Sequence, residues 1–193
     1  FTRRIVIWLG LQGRAFEQVP LAATEPADVD AIRAVNPLRR VPALALDDGT
    51  VLTECFAICD WLDETAPEQR LIPAEGLARR EAMALVATAS AATDKAVAMV
   101  YEKNRRPAEF QWPDWQDRLA DQIRAGLAAV DARVPAEGFV AGEGPGGPDI
   151  AAVCLYDFVA VTNPWLLDPQ PTRLAALAER ANAHAVFGDS RPG

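Results

Sequence analysis

Asn36-Pro37-Leu38-Arg39-Arg40-Val41-Pro42-Ala43-Leu44-Ala45-Leu46-Asp47-Asp48-Gly49-Thr50-Val51-Leu52-Thr53-Glu54-Cys55-Phe56-Ala57-Ile58 holds two short apolar runs around one turn signal. Val41–Leu46 and Val51–Thr53 flank Asp47-Asp48-Gly49-Thr50, and an Asp-Gly pair between apolar runs predicts a β-hairpin. Directly after it, Phe56, Cys59, Trp61 and Leu62 recur at helical spacing, so Cys55–Glu64 reads as a helix that Pro67 ends. Upstream, Pro26 suits a first helical turn, Asp28 and Asp30 favour its positive end, and Asn36-Pro37 stops it with Val29 and Ile32 facing inward. Ala15–Leu21 reads as a short strand with Pro20 at an edge. Ile5, Trp8, Leu9 and Leu11 form the apolar face of a first helix closed by Gly13. The predicted order is helix, strand, helix, strand, strand, helix.

Beyond Leu77 the strand signals vanish. Alanine-rich amphipathic helices are expected over Leu77–Asn104, Trp115–Arg133, Asp149–Val161 and Thr172–His184. Pro107, Pro113, Pro135, the Gly142–Pro148 loop and Asn163–Pro171 break them. The chain therefore divides into an α/β domain over residues 1–70, a linker over 71–76 and an all-helical domain over 77–193.

Composition narrows the function. The chain has 193 residues, 50% of them hydrophobic and 24% charged, the balance of a soluble globular protein. A net charge of −8 argues against nucleic-acid or anionic-membrane partners, which need clustered Lys and Arg. One histidine, His184, argues against a histidine triad or a multi-histidine metal site. Cys55, Cys59 and Cys154 lie at no zinc-ligand spacing, and an odd cysteine count suits a reducing cytoplasm. Arg3-Arg4 before Ile5–Leu9 imitates a secretory signal, but the apolar run is short and no A-x-A pattern follows. No run is expected to reach membrane-spanning length.

Taken together, Asn36–Leu44 and Asp48–Ile58 resemble the soluble glutathione transferases, specifically bacterial ones. Leu71-Ile72-Pro73 and Asp149-Ile150-Ala151 extend the resemblance into the helical half. It implies a thioredoxin-like N-terminal domain, with its first strand absent from this chain, followed by an all-α helical bundle. A homodimer, and glutathione as co-substrate with no other cofactor and no metal, are implied as well.

Glutathione needs partners for its γ-glutamyl ammonium and carboxylate, its cysteinyl backbone and its glycyl carboxylate. A cis Val41–Pro42 bond, implied by the resemblance, presents the Val41 backbone edge to the cysteinyl unit; taken alone, Pro42 equally reads as an edge device. Glu54 and Cys55 stand at a strand-to-helix junction, where first-turn N–H groups attract a carboxylate. The Cys55 N–H then takes the γ-glutamyl carboxylate and Glu54 the ammonium; without the upstream Val-Pro, Glu54 reads as a carboxylate that offsets the helix dipole. Cys55 replaces the family's usual Ser with a weaker donor, and a thiol there is either buried and inert or activated by the helix end. Arg40, more than Arg39, matches the position that meets the glycyl carboxylate.

In relatives whose first helix opens with Pro-Phe-x-x-Arg, a Ser or Cys two residues before the Phe activates the glutathione thiol. Phe1-Thr2-Arg3-Arg4 matches the end of that pattern, which places the catalytic residue before Phe1 and leaves Thr2 as a helix-start residue. Met99 and Tyr101 are candidates to contact the electrophile, and Trp112, Trp115 and Trp165 either border it or pack. The resemblance implies conjugation of glutathione to small hydrophobic electrophiles. A thiol transferase of dehydroascorbate-reductase type and a non-catalytic binding protein are the alternatives.

Overall fold

The computed structural model describes residues 1–22 and 25–191. The chain folds into two compact units, Phe1–Arg70 and Leu71–Gly193.

The first unit contains α1 (Thr2–Leu11), α2 (Pro26–Val35), β1 (Ala43–Ala45), β2 (Val51–Thr53) and α3 (Cys55–Glu64). The strands form an antiparallel hairpin with Ala43 opposite Thr53, Leu44 opposite Leu52 and Ala45 opposite Val51. In its turn the Leu46 N–H donates to the Thr50 carbonyl at 2.8 Å and the Asp48 carboxylate accepts the Thr50 N–H at 2.8 Å. Gly49 sits at φ +85°, where a side chain would be strained. These bonds from Thr50 hold the Asp48 carboxyl below its ordinary value.

The unit's core is small: Ile5, Ile7, Trp8 and Leu9 of α1, Ile32 of α2, and Ile58 and Leu62 of α3. A buried carboxylate locks α1 to α3. Asp63 accepts the Trp8 indole N–H and the Gln12 amide N–H, each at 3.0 Å. Gly13 closes α1 at φ +65°, with the Gly13 N–H on the Gly10 carbonyl and the Arg14 N–H on the Leu9 carbonyl, a Schellman ending. Leu11, expected on the buried face, is only half-buried, and Arg4 is buried instead, its guanidinium 5.9 Å from the centre of the Phe1 ring.

The strand expected over Ala15–Leu21 does not form: the segment is unladdered and exposed through Pro20. An apolar run becomes a strand only when another edge supplies its hydrogen bonds, and among the described residues β1 and β2 pair only with each other. α3 stops at Glu64, ahead of Pro67, where Thr65 caps it through its hydroxyl on the Trp61 carbonyl at 2.8 Å. Pro67 opens a short 3₁₀ turn.

The second unit contains α4 (Gly76–Asn104), α5 (Pro113–Asp131), α6 (Gly147–Thr162), α7 (Thr172–Asn182) and α8 (Ala185–Gly188). Pro113 and Pro148, expected in the breaks, occupy the first turns of α5 and α6, where a missing N–H costs nothing. Small residues let α4 and α5 approach: a Cβ built on Gly126 would lie 2.5 Å from that of Ala92. Contrary to the expectation that no segment reaches membrane-spanning length, α4 holds an 18-residue window of mean hydropathy 1.3. Its alanines raise the average, and it packs between α5 and α6 through Leu85, Val86, Ala89, Ala92, Ala96 and Met99.

Asp149, fully buried in the first turn of α6, accepts three backbone N–H groups, from Val140 at 2.7 Å, Ala141 at 3.1 Å and Gly146 at 3.0 Å. Burial pushes its carboxyl above the ordinary 3.8, while those donors pull the other way. A Cβ at Gly146 would meet the Ala141 Cβ at 2.5 Å and the Leu71 carbonyl at 3.0 Å. That crowding explains why glycine stands where a capping box ordinarily has Ser or Thr.

Candidate functional site

The hairpin register decides what meets at the end of β2. Ala43 opposite Thr53 puts Pro42 level with Glu54, so the segment entering β1 runs beside the residue that leaves β2. Glu54 is the N-cap of α3 and must turn the chain from strand into helix in one step. It does so at φ 67°, ψ 132°, a left-handed conformation that costs a non-glycine residue about 1–3 kcal/mol. The N-terminal turn of α3, carrying Cys55, Phe56 and Ala57, lies immediately beyond, and such a helix end favours an anion.

The Glu54 carboxylate and the Arg40 guanidinium are both about half exposed, with Arg40 Nη1 3.6 Å from Glu54 Oε1. This is an ion pair without a hydrogen bond, and an exposed pair of this kind contributes at most about 1 kcal/mol. An anion, a cation and a helix N-terminus thus share one open corner.

Asn36 holds the approach to that corner. Buried to 2% exposure, it donates its amide N–H to the Arg40 carbonyl at 2.9 Å and accepts the Leu38 N–H at 3.0 Å. Arg39, between them, takes φ 53° and donates its N–H to the Asn36 carbonyl at 2.8 Å. Val41–Pro42 follows as a cis peptide, with Val41 37% exposed. In the sequence Asn36 reads only as a helix stop. Its second role shows no stronger sequence signal than an Asn before Pro at the end of a helix.

Cys55 is buried, and its Sγ lies 3.7 Å from the Phe1 carbonyl oxygen, turned toward the start of α1. Of the two states open to this thiol, the packed one fits that placement. Cys59 is half-buried and Cys154 lies in the helical core. Thr2 is the first residue of α1 and makes no side-chain cap.

In the second unit Met99 is wholly buried, a core residue, whereas Tyr101 is 51% exposed. Trp112 is exposed, and Trp165 lies beneath Lys103 Nζ at 4.6 Å and the Arg124 guanidinium at 5.2 Å from its ring. His184 packs edge-on against Phe139, with ring centres 5.6 Å apart. No group of His, Cys, Asp or Glu among the described residues is arranged to hold a metal ion.

Comparison with known proteins places this corner in context. Residues 1–65 match the family model for the glutathione S-transferase N-terminal domain. The chain is 29% identical to maleylacetoacetate isomerase of Pseudomonas aeruginosa, across 98% of this chain and 90% of the relative. The chain carries a glutathione S-transferase N-terminal domain over residues 1–65 and is similar over nearly its whole length to members of that family. Its fold is that of the family's solved members, including a glutathione S-transferase from Methylobacterium radiotolerans in complex with glutathione sulfonate. That one superposes with a TM-score of 0.90 at 26% identity, covering 98% of this chain and 89% of the neighbour. A glutathione transferase family member from Pseudomonas fluorescens with bound glutathione gives 0.84 at 28% identity, covering 99% and 93%. The protein therefore has a thioredoxin-like N-terminal unit and a helical C-terminal unit, with the Glu54 corner inside the segment the family model matches.

Proposed function

We propose that the protein binds glutathione at the β2–α3 corner and adds the glutathione thiolate to small electron-poor hydrophobic substrates. The strained Glu54 carries this reading. A left-handed glutamate persists only where the surroundings hold it, and such outliers cluster at ligand sites. Its carboxylate suits the γ-glutamyl ammonium, and the first turn of α3, from Cys55, suits the adjacent carboxylate. The Val41 edge, beside cis Pro42, suits strand-like pairing with the cysteinyl unit, and Arg40 suits the glycyl carboxylate. Glutathione serves as co-substrate with no other cofactor, and the enzyme acts as a cytoplasmic homodimer.

In the addition step a sulfur lone pair forms the C–S bond while the substrate's π pair moves onto a conjugated carbonyl oxygen. Protonation of that enolate gives the conjugate. A second reading starts from the enolate adduct before it is protonated: rotation about the carbon–carbon bond that the addition has made single, then return of the electron pair and expulsion of the thiolate, gives the isomerised double bond. It is supported by the likeness, over nearly the whole chain, to a relative named as an isomerase.

Calorimetric titration of the protein with glutathione tests the binding. Turnover then separates the chemistries: an α,β-unsaturated ketone reports conjugation, a cis α,β-unsaturated keto acid reports isomerisation, and a mixed disulfide reports thiol transfer. Saturable binding with turnover of either of the first two supports the proposal. Binding with turnover of the disulfide alone favours the thiol-transferase alternative, binding without turnover favours a binding protein, and no binding overturns the reading.

A further inference from the structure

The proposed site contains a conflict between two of its own residues. Arg40 and Glu54 are assigned to opposite ends of the tripeptide, yet here they face each other at 3.6 Å. An extended peptide of three residues spans about 10 Å, so one guanidinium cannot stay beside Glu54 and also meet the glycyl carboxylate. Resting on the glutathione reading above, we propose that Arg40 is a specificity residue that works by exchanging partners. Paired with Glu54, it competes with the γ-glutamyl ammonium for the same carboxylate. The incoming ammonium replaces it, and the released guanidinium pairs with the glycyl carboxylate.

Three observations make the exchange physically reasonable. The backbone beneath Arg40 is fixed, because buried Asn36 holds the Arg40 carbonyl at 2.9 Å, so the movement is confined to the side chain. Both partners are half exposed, and at 3.6 Å their pair is weak enough to break at small cost. The Glu54 backbone, at the head of α3, ties its carboxylate to this corner when Arg40 leaves. The consequence is selection for ligands carrying both ends. A ligand with the ammonium but no far carboxylate breaks the Arg40–Glu54 pair and supplies no replacement, whereas the full tripeptide returns a partner to each charge.

Glutathione and its glycyl ethyl ester, which differ only at the far carboxylate, test this against wild type and Arg40→Gln. In the variant, glutathione is expected to bind about three- to tenfold more weakly, having lost a charged partner. The ester is expected to bind about two- to fivefold more tightly, because its competitor for Glu54 is gone. Opposite signs for the two ligands are the signature. An ester affinity unchanged by the substitution makes Arg40 a simple clamp for the carboxylate and overturns the exchange. Loss of affinity for both ligands, with a lowered unfolding midpoint, makes Arg40 structural and also overturns it. If wild type binds glutathione normally and either of those results appears, only the exchange fails; if wild type binds neither ligand, the glutathione reading fails with it.

Discussion

The two units of this chain solve the problem of stability differently. In the helical unit an uninterrupted apolar run, Ile150 to Leu155 on α6, is buried on all sides by α4, α7 and their neighbours, and small residues such as Ala92 and Gly126 set the spacing of α4 and α5. The first unit has a three-residue hairpin with no fully buried strand residue, and its core rests mainly on α1 and α3. It also carries backbone strain: Arg39 and Glu54, its two non-glycine residues at positive φ among those described, bracket the proposed binding corner. The difference separates roles. The helical unit is built for packing, and the α/β unit holds an open, charged, conformationally costly edge.

A buried aspartate braces each unit, Asp63 in the first and Asp149 in the second, and removing each in turn shows whether the contrast holds. Asp149→Ala takes a charged acceptor from three backbone donors, of which the Gly146 N–H is buried, and is expected to lower the unfolding free energy by about 3–5 kcal/mol in urea denaturation. Asp63→Ala strands the Trp8 and Gln12 donors and should cost about 2–3 kcal/mol. Hydrogen exchange should show that loss mainly in α1 and α3. An Asp63 variant that loosens α4–α6 to the same degree would mean that the units do not stabilise independently.

A smaller effect distinguishes the units by pH. Asp149 is raised by burial, so its contribution to stability is present below 3.8 and lost as pH rises through its folded value. Asp48 is lowered by its bonds from Thr50, so its contribution is present above 3.8 and lost as pH falls through its folded value. Asp48→Asn should therefore flatten the acid side of the stability profile slightly, and Asp149→Asn should remove a decline on the side above 3.8. Matching profiles for the two variants would contradict these assignments.

The helices are largely legible in the sequence because alanine-rich amphipathic stretches, bounded by proline and glycine, report their own secondary structure without reference to a partner. The hairpin is legible because Asp48-Gly49 carries its turn chemistry locally. Ala15–Leu21 misleads for the complementary reason: its pattern describes an extended chain, and whether that chain is a strand depends on an edge elsewhere. At the corner, Arg40, Val41, Pro42, Glu54 and Cys55 are readable as a set through family resemblance. The Glu54 dihedral, the Arg40–Glu54 pair and the Asn36 clamp are not, since each arises from register and packing rather than from residue type.

Whether Glu54 is held in a costly conformation for the sake of glutathione is decided by Glu54→Gly, followed by both glutathione titration and thermal unfolding. Glycine accepts φ 67° without strain and removes the carboxylate. The expected variant is more stable by about 0.5–1 kcal/mol and binds glutathione at least about tenfold more weakly. A variant that binds glutathione as wild type does, or that loses stability, would contradict that role for Glu54.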